Sequence, residues 1–204
     1  MKKLSVLLTL LLLTGVLVAS TTTYSSRTSF YAANPGVTIE GWDTLASGTL
    51  ITVLNGITYT TNDGTALVTN AFLALSPPNT LGENVNGFFL PSDTMTFTFP
   101  SPITAFGISI NTFDTSTGGY TATDNLGNVI LSFYDPFPGF TTGEFVGYTS
   151  TIPFDSVTIA APGGFSYTLD DLAYGTTVPE PSSLFLLGSG VFGLAGMLRR
   201  KWMS

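Results

Sequence analysis

The 204-residue sequence contains neither cysteine nor histidine. Without cysteine there can be no disulfide, thiolate metal site, cysteine nucleophile or lipoprotein anchor. Without histidine there is no imidazole base, no His-ligated zinc and no Ser-His-Asp triad, so any catalysis would have to rest on carboxylates. Positive charge is scarce as well: six Lys and Arg stand against thirteen Asp and Glu, for a net charge of −7. Between positions 28 and 198 there is no Lys or Arg, which leaves Arg27 as the one cation away from the two ends. Affinity for phosphate backbones comes from Lys and Arg, so nucleic acid is not an expected partner. The acidic residues from Glu40 to Asp171 face almost no counter-charge, and salt bridges are not expected to be a major part of the fold. Solubility is the plain reading of that acidity, and divalent cation binding is the functional one.

What the sequence does have is concentrated first at its ends. Met1-Lys2-Lys3 precedes an apolar run from Leu4 to Ala19, and small polar residues follow. A basic start, an apolar core and a small-residue exit describe a secretory signal peptide, with Val18 and Ser20 as the small residues and cleavage expected between Ser20 and Thr21. A retained anchor helix would need closer to ~20 apolar residues. The Sec machinery and signal peptidase are therefore the expected first partners.

The other end reads Val178-Pro179-Glu180-Pro181-Ser182-Ser183, then a Gly-rich apolar stretch from Leu184 to Leu198, then Arg199-Arg200-Lys201. The prolines fix φ and bias their predecessors away from helix, so Glu180 is displayed on an extended, accessible segment. The apolar stretch, extended by Ser182 and Ser183, suits a membrane helix over about residues 182–198. Terminal cations remain cytoplasmic by the positive-inside rule, which puts the rest of the chain outside.

Motif, apolar stretch and basic cluster in this order resemble the PEP-CTERM sorting signal of Gram-negative bacteria, with Pro179-Glu180-Pro181 as the motif. The resemblance implies an inner-membrane intermediate, recognition by an exosortase that cuts near the motif, and delivery to the cell envelope, surface or extracellular matrix, in association with exopolysaccharide or biofilm. It covers about 27 residues of the chain and says little about what the remainder binds.

The remainder alternates with a period of two and is broken by turn residues, with no helical periodicity. Met95, Phe97 and Phe99 fall on one face and Thr94, Thr96 and Thr98 on the other, as in a half-buried antiparallel strand. Phe106, Ile108 and Ile110 repeat the device, and Val129, Leu131 and Phe133 do so beyond a hairpin loop at residues 124–128. Asn55-Gly56 is a tight-turn dipeptide between two short strands. Val157 and Ile159 are expected to pair with Phe165, Tyr167 and Leu169 through Pro162-Gly163-Gly164. About nine or ten short strands result, an all-β single antiparallel β-sandwich of jelly-roll type. The expected organisation is a signal peptide over residues 1–20, a linker over 21–36, the sandwich over 37–175 and the sorting tail over 176–204. The sandwich also resembles the jelly-roll ectodomains of PEP-CTERM proteins at Trp42–Gly48, Pro102–Ile108, Pro153–Ile159 and Leu169–Gly175.

Two places could carry chemistry. Leu169-Asp170-Asp171-Leu172 breaks the alternation, since Asp171 inherits the apolar face and Leu172 the opposite one. Either a β-bulge restores Leu172 to the core and leaves both carboxylates near the strand edge, or Asp171 points inward and a cation neutralises it; the plain alternative is two exposed aspartates at a strand end. Closing Asp pairs of this kind resemble those of jelly-roll carbohydrate-binding and MAM-like modules, which implies a structural Ca2+ tying Asp170 and Asp171 to Asp43 or Glu40. With no Lys or Arg expected beside the pair, the cost of an unpaired buried charge favours the ion. The second place is the proline-stiffened loop after Tyr134, where Phe137 and Phe140 could present an aromatic platform to a sugar ring or cover an open end of the fold. Three functions follow: a non-catalytic surface or matrix protein, a lectin-like polysaccharide-binding module, and a carboxylate-dependent hydrolase, for which no motif argues.

Overall fold

The computed structural model describes residues 20–72, 74–112, 119–134, 141–162 and 165–176. Residues 1–19 of the expected signal peptide, Phe137, Phe140, the sorting motif, the expected membrane helix and Arg199, Arg200 and Lys201 lie outside the described residues. Among the described residues no helix is long and apolar enough to cross a membrane.

Among the described residues the fold is all-β, as expected, and its twelve strands exceed the nine or ten anticipated. They are β1 (Thr21–Tyr24), β2 (Thr38–Glu40), β3 (Leu50–Ile51), β4 (Val53–Leu54), β5 (Ile57–Thr61), β6 (Ala66–Thr69), β7 (Thr80–Glu83), β8 (Thr94–Thr112), β9 (Gly119–Asp124), β10 (Val129–Tyr134), β11 (Thr141–Ala160) and β12 (Tyr167–Gly175), with one helix, α1 (Arg27–Ala33). All pair antiparallel in a single hydrogen-bonded sheet of order β10-β9-β11-β8-β12-β7-β6-β3, with β1 on β11, β2 on β12 and β5 on β8.

The two long strands make this one sheet into two leaves. β8 and β11 pair through most of their lengths, with register shifts around Thr149, Phe154 and Ser156. The other edge of β8 goes to β5 over Met95–Thr98 and to β12 over Ala105–Thr112. The other edge of β11 goes to β1 at Gly147–Ser150 and to β9 at Val157–Ala160. Among the described residues the sheet has only a seven-residue helix beside it, so its apolar face is covered by the sheet itself. Accordingly, Met95, Phe97 and Val157 of one leaf share a single core with Phe106, Ile108, Val146 and Leu172 of the other.

Local signals account for several pairings. Asn55 and Gly56 take φ of 50° and 82°, the left-handed pair that a two-residue hairpin between β4 and β5 requires. The 124–128 loop joins β9 to β10 as expected, and Asp124 holds it by accepting from the backbone N–H groups of Leu126 and Asn128. Met95, Phe97 and Phe99 are all buried, as the alternation predicts.

Two expectations are corrected. β11 and β12 do not form a hairpin: both flank β8, so β12 is an interior strand. From Ala105 to Thr112 every residue of β8 is buried, which requires cover on both faces and hides the alternation expected there. The second correction concerns residues 21–36, expected as linker, which instead form β1, α1 and a well-packed second cluster of Phe30, Ala105, Phe145 and Ala173. The reason is a floor of glycine. Gly107 and Gly147 face each other across β8 and β11. A Cβ on Gly147 would stand 2.7 Å from both Phe30 and Phe145, and one on Gly107 would stand 3.0 Å from Phe30. The missing side chains are the space that the Phe30 ring fills, and Ser26 caps the helix that delivers it by accepting from the N–H of Ser29.

Candidate functional site

The Asp170-Asp171 pair sits in a β-bulge. Asp170 pairs with Ser109 and Ala173 with Gly107, so three residue steps on β12 match two on β8. Asp171 is the extra residue, at φ 48°, a left-handed conformation that aspartate tolerates better than most side chains. The bulge returns Leu172 to the core, where it is fully buried.

Both carboxylates are buried, which a strand end open to solvent would not give. Asp170 accepts from the Ser76 N–H at 2.9 Å, from the Ser76 hydroxyl at 3.1 Å and from the Asp171 N–H at 2.8 Å. Asp171 Oδ1 accepts from the same Ser76 hydroxyl at 2.9 Å. Burial pushes the Asp170 carboxyl up to about 6; the neighbouring Asp171 charge acts in the same direction, and the Ser76 N–H opposes it.

The structure corrects the premise that no cation is available here. Arg27, on the first turn of α1, places Nη2 2.8 Å from Asp171 Oδ2. Its guanidinium also lies over the Tyr31 ring, 5.4 Å from the centroid. The sequence reading missed this pairing because Arg27 lay in a presumed linker, some 140 residues from its partner.

Asp43 does approach the pair. Its Oδ2 and the Oδ1 of Asp171 lie 3.3 and 3.2 Å from where a Cβ on Gly41 would stand, and its Oδ1 accepts from the Asn79 N–H. Glu40 is turned elsewhere, accepting from the Trp42 N–H and from Asn55 Nδ2. Among the described residues, no three Asp or Glu side chains converge in a way that could hold a metal ion. The three other buried acids among the described residues fasten loops: Glu83 accepts from Val85 and Asn86, Asp93 from Leu90, and Asp124 from its hairpin. Backbone N–H groups thus take the place of much of the counter-charge that the sequence lacks.

Of the expected aromatic platform, Tyr134 ends β10, while Phe137 and Phe140 lie outside the described residues. Ser20 and Thr21, expected to flank the signal cleavage, lie at the start of β1: Ser20 pairs with Thr151 through Thr151 N–H to Ser20 O at 3.0 Å. A groove of about 380 Å³ opens beside β1, lined by residues of β1, β11 and the start of β10. No motif signals it, because it arises where β1 and β9 part from their shared partner β11.

Residues 177–201 match the family model of the PEP-CTERM protein-sorting motif. No curated protein matches the chain in sequence. Among solved structures, the chain is similar to the Podospora anserina GH26-CBM35 β-(1,4)-mannanase (17% identity, TM-score 0.40), covering 72% of this chain and 29% of that enzyme. It is also similar to a family 6 carbohydrate-binding module (13% identity, TM-score 0.35; 58% of this chain, 87% of the module). A variant of a family 29 carbohydrate-binding module gives 12% identity and a TM-score of 0.36, over 69% of this chain and 94% of the module. The chain thus spans less than a third of the mannanase's length.

Proposed function

We propose that this chain, which carries a PEP-CTERM sorting motif, is an exported, non-catalytic surface or matrix protein whose jelly-roll-type β-sandwich is delivered to the cell envelope by exosortase processing. The observation that carries the reading is the matched tail at residues 177–201, which begins two residues after β12 ends at Gly175. Pro179-Glu180-Pro181, preceded in the sequence by Val178, is the recognised element. Arg199, Arg200 and Lys201 hold the tail's end on the cytoplasmic side of the inner membrane. Export by the Sec route and removal of residues 1–20 by signal peptidase precede sorting.

A non-catalytic role agrees with the chemistry of the domain. Among the described residues the buried acids are bound to loop N–H groups, to Ser76 or to Arg27, and the groove beside β1 has no acid in its lining. A glycoside hydrolase needs two carboxylates facing one another across a substrate cleft. Replacing Pro179-Glu180-Pro181 by three alanines, in a host that has an exosortase, should leave unprocessed protein in the inner membrane. Normal processing of that variant contradicts the sorting role.

A second reading, a polysaccharide-binding module, is favoured by the same groove, whose lining is uncharged and rich in hydroxyls. The two readings are compatible, since a sorted matrix protein can hold matrix polysaccharide.

A further inference from the structure

We infer that the groove between β1 and the start of β10 is a binding site for a neutral, hydroxyl-rich saccharide, an assignment that rests on the polysaccharide-binding reading above and names its location. The groove follows from the topology. β11 gives one edge first to β1 and then to β9, and its register is irregular between the two. β1 and the β9–β10 hairpin therefore diverge from a common strand and leave a cleft between them. Its volume of about 380 Å³ falls within the range of ligand sites, roughly 300–1,000 Å³.

Strand alternation places the lining. Thr21 and Thr23 project from one face of β1, opposite Ser150 and Tyr148 of β11. Asn128 and Val129 close the far side, and Ile152 continues the β11 row. None of these side chains carries a charge, so an ionic ligand would lose hydration without gaining a partner.

Their hydrogen-bonding capacity is largely unspent. The Thr21 and Thr23 hydroxyls are exposed and make no hydrogen bond to the described residues. Ser150 Oγ accepts from the Ile152 N–H and keeps its own proton to donate. Asn128 donates Nδ2 to Asp124, which leaves its Oδ1 as an acceptor. Tyr148 is 4% exposed, its ring tilted against Phe154, and among the described residues its hydroxyl has no partner although the residue lines the groove. Val129 and Ile152, 61% and 47% exposed, add aliphatic surface at the rim. Several donors and acceptors set against exposed C–H surface, without charge, match the chemistry of a sugar ring with its hydroxyl edge and C–H face.

The test uses the full-length chain in detergent micelles on an array of neutral and acidic oligosaccharides, followed by titration of the best-bound neutral glycan. Binding to neutral glycans is expected. Tyr148→Phe, which removes one hydroxyl and keeps the ring, should weaken it about two- to tenfold. Thr23→Trp, which fills the groove from an exposed strand position, should abolish it. If glycan binding is intact in both variants, the site is elsewhere and the polysaccharide reading survives. If the wild-type chain binds no glycan, reading and site fall together. Binding confined to acidic glycans overturns the assignment of a neutral ligand. Should Thr23→Trp fail to fold, the Tyr148→Phe titration still decides.

Discussion

The guanidinium of Arg27 lies 2.8 Å from the carboxylate of Asp171, joining the only cation of the folded region to the bulge of an interior strand. The pair fastens the first helix to the last strand, and the Phe30 ring one helical turn further on seats the same segment on Gly107 and Gly147. The segment of β1 and α1 is therefore structural.

Removing Arg27 should cost more than an ordinary surface pair. Breaking a fully buried pair from one side costs about 3–5 kcal/mol, and exposed pairs contribute about 0–1. Asp171 is buried while Arg27 is about a third exposed, so Arg27→Met should destabilise by about 2 kcal/mol. For a domain of this size that lowers the melting temperature by roughly 4–8 °C. EDTA should leave the wild-type melt unchanged; a fall that Ca2+ restores would show that an ion holds Asp43, Asp170 and Asp171 together.

The glycine floor gives a second outcome. Gly147→Val places carbon atoms where Phe30 and Phe145 already lie, and overpacking of this kind costs about 1–3 kcal/mol. The damage should be local, with early proteolytic nicking around residues 24–34 and fast exchange of the β1 amides. Protection equal to wild type would mean that Phe30 does not depend on the glycine pair.

Asp170 sets a dependence on pH. Its folded pKa, about 6, is raised above the ordinary value of 3.8, so the folded state favours the protonated form. The stability this provides is complete below about pH 4 and is lost as pH rises through 6. Two pKa units amount to at most about 3 kcal/mol. Asp170→Asn, which keeps an acceptor for the Ser76 N–H, should remove the penalty. Its melting temperature should rise relative to wild type between pH 4 and 7 and hold that gap above pH 7. A gap independent of pH would place the titration elsewhere.

The parts of this molecule legible in the sequence are those that local physics specifies. The Met95, Phe97 and Phe99 alternation, the Asn55-Gly56 turn and the 124–128 hairpin each depend on neighbours within a few residues. The bulge at Asp170-Asp171 was legible because a break in alternation has few remedies. Its neutralising partner was not, since Arg27 is distant in sequence and its seven-residue helix is too short to leave a periodic pattern. Nor did the sequence reveal that β8 lies between β11 and β12, because Pro162-Gly163-Gly164 suits a hairpin and a crossover equally well. The groove beside β1 has no motif at all, being a gap between two strands that share one partner. The tail, in contrast, was legible because its motif is a run of consecutive residues, and residues 177–201 match the PEP-CTERM model.

The sorting role is tested most directly by the intact mass of the protein recovered from a host with an exosortase. The expected mass is that of a chain that begins at Thr21 and ends near Pro179-Glu180-Pro181, having lost the apolar stretch and Arg199, Arg200 and Lys201. A mass that retains residues 182–204 would contradict it.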